Sequence, residues 1–133
     1  MTPMTPEQNA AIVRRGYEAF NAGDGPTLIE LLHEDVVFYQ PGSSPVSGEH
    51  RGRDDVLRYF GELGARSGGT FRAEIEKLFA SDRQAVAIHR ASGSRNGAVL
   101  ETRTALVFDL ENGRVTAFNA VQEDQQAWDA FFS

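Results

Sequence analysis

Two Asn-Gly dipeptides, Asn96-Gly97 and Asn112-Gly113, set the tightest limit on what this chain can fold into. Asn and Gly tolerate the positive φ values of a two-residue type I′ turn, so each pair between alternating apolar runs marks a β-hairpin. Four such runs are present, at 71–79 (FRAEIEKLF), 85–94 (AVAIHRASGS), 99–110 (VLETRTALVFDL) and 114–122 (RVTAFNAVQ). They predict an antiparallel meander over the second half of the chain.

Before about Thr70 the period is helical. Thr5-Pro6-Glu7-Gln8 combines a capping threonine, a proline suited to the first helical position and a glutamine placed for a capping box. Ile12, Gly16 and Phe20 then recur at i+4 beside Val13 and Tyr17, and Gly23 supplies a stop. A shorter helix is predicted over 26–33, burying Leu28, Ile29, Leu31 and Leu32. His33 would end it, where the macrodipole favours a cation. The β-branched and aromatic run 36–40 (VVFYQ) reads as a strand, and 42–52, rich in Gly, Ser and Pro, as a loop. A third helix shows Val56, Tyr59, Phe60 and Leu63 on one face, with Gly64 near its end. The segment 124–132 (DQQAWDAFF) reads as a closing helix capped by Asp124, with Trp128, Phe131 and Phe132 on its apolar side. The order predicts one α+β domain over 1–133, with helices on one face of a curved sheet. Helices cannot cover all of such a concave face, so a pocket is expected between the layers.

Composition narrows the function classes. There are 13 Lys and Arg against 19 Asp and Glu, a net charge of −6 with no basic cluster, which argues against nucleic-acid and anionic-membrane partners. Cysteine is absent, and no two of the three histidines have metal-ligand spacing, so no metal site is expected. No G-x-S-x-G, P-loop or dinucleotide fingerprint occurs, and no cofactor is expected. The N-terminal MTPMTPEQ has neither part of a signal peptide, and no apolar run approaches the ~18–20 residues of a membrane span. The expected location is cytoplasmic.

Several motifs carry a resemblance. They are AFNAGD (19–24), LLHEDVVF (31–38), GEHRGRDDVLRYF (48–60) and the ending NGRVTAF…EDQQAWDAFF between Asn112 and Phe132. With the order of elements, they resemble the nuclear transport factor 2-like superfamily, in particular its SnoaL-like and ketosteroid-isomerase-like members, over nearly the whole chain. The resemblance implies a curved antiparallel or mixed sheet wrapped around three N-terminal helices, a cone-shaped, cystatin-like α+β barrel with an internal pocket. It also implies a homodimer through the outer sheet face, on which Val99, Ala105, Val107 and Val121 are expected. The isomerases of this kind use an aspartate base, a tyrosine and a protonated aspartate. Those positions fall here on Gln40, Gly16 and near Leu106, with Tyr17 one residue from the tyrosine position and turned about 100° off that face. None of the three is kept, and an amide cannot serve as a general base.

Period-two alternation sorts the strands into faces. Val36, Phe38 and Gln40 form the concave set of the first strand. Val86, Ile88, Arg90 and Ser92 form the bulkier set of the next, putting Arg90 inside and His89 outside. Leu100, Thr102, Thr104, Leu106 and Phe108 are taken as interior, as are Phe118, Ala120 and Gln122. The expected constellation has Arg90, Tyr59 and Asp124 in catalytic roles. Arg90 would stabilise charge, and Asp124 stands near the place where SnoaL-like cyclases carry a carboxylate base. Gln40, Phe38, Phe20, His50, Leu106, Phe108, Phe118 and Gln122 would bind substrate. Each also has a plainer reading: Gln40 bonded to loop backbone, Tyr59 in core packing, Arg90 in an edge ion pair, Gln122 at the rim, His50 in a solvated loop, Asp124 as a cap alone. Two functions follow. One is a cofactor-independent isomerase, cyclase or dehydratase acting on an apolar or polyketide-like small molecule. The other is a non-catalytic binding or interaction module that has lost the isomerase carboxylate. An epoxide hydrolase of this fold would want an Asp-Arg-Asp set, for which Arg90 alone is too little.

Overall fold

A computed structural model of the protein describes residues 4–133. Helix α1 (Pro6–Ala22) opens with the capping box: Gln8 N donates to Thr5 Oγ1 and Thr5 N to Gln8 Oε1. It ends on Gly23 at φ 68°. Helix α2 (Gly25–Leu31) is capped by Asp24. Strand β1 (Leu32–Gln40) and strand β2 (Gly48–Arg51) form an antiparallel pair, and helix α3 (Arg53–Arg66) follows. The meander is β3 (Arg72–Ala80), β4 (Gln84–Arg95), β5 (Ala98–Glu111) and β6 (Arg114–Gln122), closed by helix α4 (Gln125–Phe132). Both Asn-Gly turns have the left-handed backbone a type I′ turn requires, with Asn96 and Asn112 at φ 51° and Gly97 and Gly113 at 83° and 82°.

The six strands form one mixed sheet in the order β2-β1-β6-β5-β4-β3, which does not close into a barrel. Its single parallel pairing, β1 with β6, adds the chain's first strand to the meander's β6 edge, with β2 outermost beyond it. Asn21 stitches α1 to the edge strand β3, donating to Ala73 O at 2.8 Å and accepting from Ala73 N at 3.1 Å, as a neighbouring strand would. Among the described residues no helix is long and apolar enough to cross a membrane.

Four expectations are corrected. Ile29 of α2 is 43% exposed rather than buried. His33 does not end a helix. Leu32 is already extended and pairs with Val115 of β6, so sheet pairing takes His33 into β1, where its Nδ1 accepts from Asp35 N. The span 42–52 is not all loop, since Gly48–Arg51 adds an edge strand to β1. Most consequential, β4 faces the other way. Ala85, Ala87, His89 and Ala91 are buried inward, while Arg90 is exposed and lies 3.3 Å from Glu101 of β5. Helix α1 packs on β3 and β4, and only small side chains let a helix approach a sheet that closely. Bulk is therefore the wrong guide on this strand.

The inward sets of β1, β5 and β6 lie as the alternation predicts: Val36, Phe38, Gln40, Leu100, Thr102, Thr104, Phe108, Phe118 and Ala120 are all buried. On the outer face Val99 and Val121 are 78% and 60% exposed, and Ala105 and Val107 are half-buried.

Candidate functional site

Between the helices and the concave sheet lies a cavity of about 100 Å³, walled by residues from every helix and from five of the six strands. Its two ends differ. Ile12, Val13, Leu28, Leu31, Leu32 and Val115 form an apolar end. Toward the opposite end the strand register lines up a polar row. Gln122 of β6 pairs with Thr104 of β5, which pairs with His89 of β4. Gln40 extends the row on β1, one residue beyond the Tyr39–Asn119 pairing. No Lys, Arg, Asp or Glu lines this cavity among the described residues.

The row is hydrogen-bonded within itself. Thr104 Oγ1 donates to Gln122 Oε1 at 2.6 Å, and Tyr59 Oη donates to Gln40 Oε1 at 3.3 Å. A third link joins Tyr17 of α1 to β4: its hydroxyl stands 2.6 Å from His89 Nδ1, both side chains being buried. The rings meet edge-on, with centroids 5.3 Å apart. Burial drives both groups toward neutrality. It pushes His89 down to about 4 and raises Tyr17 and Tyr59 well above the ordinary phenol range. At neutral pH the pair therefore carries no charge and shares one proton across a short bond, and His89 keeps its second ring nitrogen free of hydrogen bonds among the described residues.

Aromatic rings form the rest of the wall. Phe118 stacks on Phe38 at 4.2 Å and on Phe108 at 5.5 Å. Phe20 meets Phe60 and Phe71 edge-on. Trp128 of α4 covers one end and packs against Phe71. Helix α4 is fixed there by Gln125, whose Nε2 donates to Pro41 O at 3.2 Å, and by Asp129, which accepts from Ser43 N. Gly42 between them has φ 104°, and a Cβ there would collide with Asp129 and Gln125.

Of the residues expected at the site, Gln40, Phe38, Phe20, Leu106, Phe108, Phe118, Gln122 and Tyr59 line the cavity. Three do not. Arg90 is on the outer face, because β4 is turned by one residue. Asp124 is exposed and caps α4 by accepting from Ala127 N, two residues past the end of β6. His50 sits on β2 behind the wall, stacked on Phe38 with Nε2 3.0 Å from Val46 O. Gly16 and Leu106, the positions to which the isomerase tyrosine and second aspartate map, also face the cavity. Tyr17 does so as well, since a 100° step on a helix embedded in a concave sheet does not leave the interior. His89, expected on the outer face, lines the cavity instead. Its signal was the Ala-x-Ala-x-His-x-Ala spacing of 85–91, small residues flanking one large polar one. No group of three His, Cys, Asp or Glu side chains able to hold a metal ion comes together among the described residues.

Comparison with known proteins agrees with this architecture. The SnoaL-like domain family matches residues 13–118. An uncharacterized protein of Mycobacterium tuberculosis is 31% identical over 131 residues, covering 98% of this chain and all of its own length. Among solved structures, Bal32a from a soil-derived mobile gene cassette is 41% identical with a TM-score of 0.94, over 96% of this chain and 98% of that one. A protein of unknown function with a cystatin-like fold from Xanthomonas campestris is 28% identical with a TM-score of 0.88, over 98% and 99%. IdmH, a putative polyketide cyclase from Streptomyces antibioticus, shares the fold at 21% identity and a TM-score of 0.75, over 87% and 92%. The chain belongs to the SnoaL-like domain family and has its NTF2-like, cystatin-like α+β fold.

Proposed function

We propose that this protein is a cofactor-independent enzyme that moves a proton on a small carbonyl substrate, by a relay through Tyr17 and His89. The observation that carries it is the 2.6 Å contact between these two buried side chains in the wall of an otherwise uncharged cavity. In one tautomer His89 Nδ1–H donates to Tyr17, leaving Nε2 as a bare base and the Tyr17 O–H free. Nε2 then takes a proton from the carbon beside the carbonyl, and Tyr17 gives its proton to the carbonyl oxygen. Nδ1–H in turn restores the phenol. Ketone becomes enol, His89 becomes the Nε2–H tautomer, and no net charge is left in the low-dielectric wall, where either ion would be costly. Running the relay backwards at a different carbon isomerises the substrate. Attack of the enol carbon on a second carbonyl would make the same site a cyclase, the activity attributed to IdmH.

The test is exchange of ketone α-protons with deuterated solvent. Wild-type protein should catalyse it, and Tyr17→Phe and His89→Ala should each lose it with the fold intact. A binding module is the second reading, favoured by Gln40 standing where the isomerases keep a carboxylate. It predicts ligand binding with no exchange in any variant. For assembly, the reading pairs two copies through the outer sheet face around Val99 and Val121. Sedimentation of wild type against Val121→Lys tests this, a monomeric wild type being the contrary result.

A further inference from the structure

Three N–H donors of the cavity wall have no hydrogen-bond partner among the described residues: Gln40 Nε2, Gln122 Nε2 and Trp128 Nε1. Each is shielded from solvent, and all three side chains line the one cavity. A buried donor left unpaired costs free energy, so such groups are rare and need a reason. Here they are also gathered. Gln40 lies one register step from Tyr39, opposite Ala120 of β6, so Gln122 is its same-face diagonal neighbour. The strand spacing and rise put their Cα atoms about 8 Å apart, within reach of one small molecule between the amides. Trp128 is held to that end of the sheet through the bond from Gln125 to Pro41, the residue after Gln40.

The donors want acceptors, and the wall wants no charge. A carboxylate or ammonium ligand would enter a cavity with no ion to pair with. Volume sets a further limit. A cavity of about 150 Å³ takes up benzene, and this one is about 100 Å³. A fused polycycle does not fit the cavity at this size.

We propose that the cavity selects a neutral, compact carbonyl compound of no more than about six heavy atoms, whose oxygen accepts from the side-chain amides of Gln40 and Gln122. This rests on the reading of the cavity as a substrate site, and it departs from a polyketide-sized substrate. His89 belongs to the same polar row, two strands from Gln122 in register.

The experiment compares cyclopentanone with methylenecyclopentane, an isostere lacking the acceptor, by NMR titration of wild type, Gln40→Met and the milder Gln122→Met. The ratio of the two dissociation constants cancels the hydrocarbon's greater hydrophobicity between proteins. It should shift against the ketone by roughly 3–10-fold for each amide removed, the worth of one net hydrogen bond. Cyclopentanecarboxylate should not bind. An unchanged ratio in both variants, tight carboxylate binding, or no saturable binding of the ketone would overturn the proposal. Deuterium exchange on the same cyclopentanone samples separates it from the proton-transfer reading. A shifted ratio without exchange sinks the relay and keeps the ligand class, whereas exchange with an unchanged ratio does the reverse.

Discussion

His89 and Arg90 are neighbours in the chain and opposites in chemistry. His89 faces the cavity, buried against Tyr17 and held neutral by desolvation. Arg90 faces outward, half-exposed beside Glu101, in a surface lattice where Arg103 reaches both Glu76 and Glu123. The Glu76 carboxyl is held below its ordinary range by the hydrogen bond from Arg103, and in solvent such pairs contribute little. The inner face thus has few polar groups, each able to act strongly. The outer face has many charges, each screened. The environment of a residue in this protein, and its role in the proposed reaction, follow from which side of one strand it occupies more than from its formal charge.

The contrast can be broken at four points. The largest effect belongs to proton exchange: His89→Ala and Tyr17→Phe should lower the rate by about 10²–10⁴-fold, the usual worth of a positioned acid or base. Arg90→Ala should leave it within about twofold. Next comes acid stability. The folded state holds His89 near 4 against 6.5 when unfolded, so the unfolded chain binds the extra proton first. Stability is therefore unaffected above about pH 6.5 and falls as the pH drops toward 4, by an amount on the order of 3 kcal/mol. Denaturant melts across this window should show a steeper loss for wild type than for His89→Gln, and parallel curves would contradict the assignment. Third, Ala87→Leu should destabilise by about 1–3 kcal/mol through overpacking of a fully buried site, while Ile88→Leu one residue away costs less than about 1.5 kcal/mol. Equal losses in chemical denaturation would mean that the strand is not faced as described. Smallest is Arg90→Ala in the same melts, at no more than about 1 kcal/mol and vanishing at high salt.

Much of this was legible in the sequence, for reasons that differ by element. The hairpins were, because Asn-Gly is nearly specific for one turn. So were the inward faces of β1, β5 and β6, whose large apolar residues alternate with polar ones. Strand β4 misled because its inward side is small. Ala85, Ala87 and Ala91 make room for α1, a tertiary demand that no local pattern carries, and Arg90 was drawn inside with the branched residues. Strand β2 was hidden by its length and by the Gly and Ser around it. The candidate site suffered most from the β4 error, since one step of register exchanged His89 for Arg90. Gln40 and Gln122 were found, yet their free amide hydrogens become visible only when the partners of the other amide atoms are known.

The central claim is that His89 is buried, neutral and paired with Tyr17, and the direct measurement is an NMR titration of the His89 imidazole carbons and nitrogens. The account predicts a ring that stays neutral from pH 8 down to about 4, with Nδ1 in a hydrogen bond that Tyr17→Phe removes. A His89 that titrates near 6.5 and is indifferent to Tyr17→Phe would contradict it.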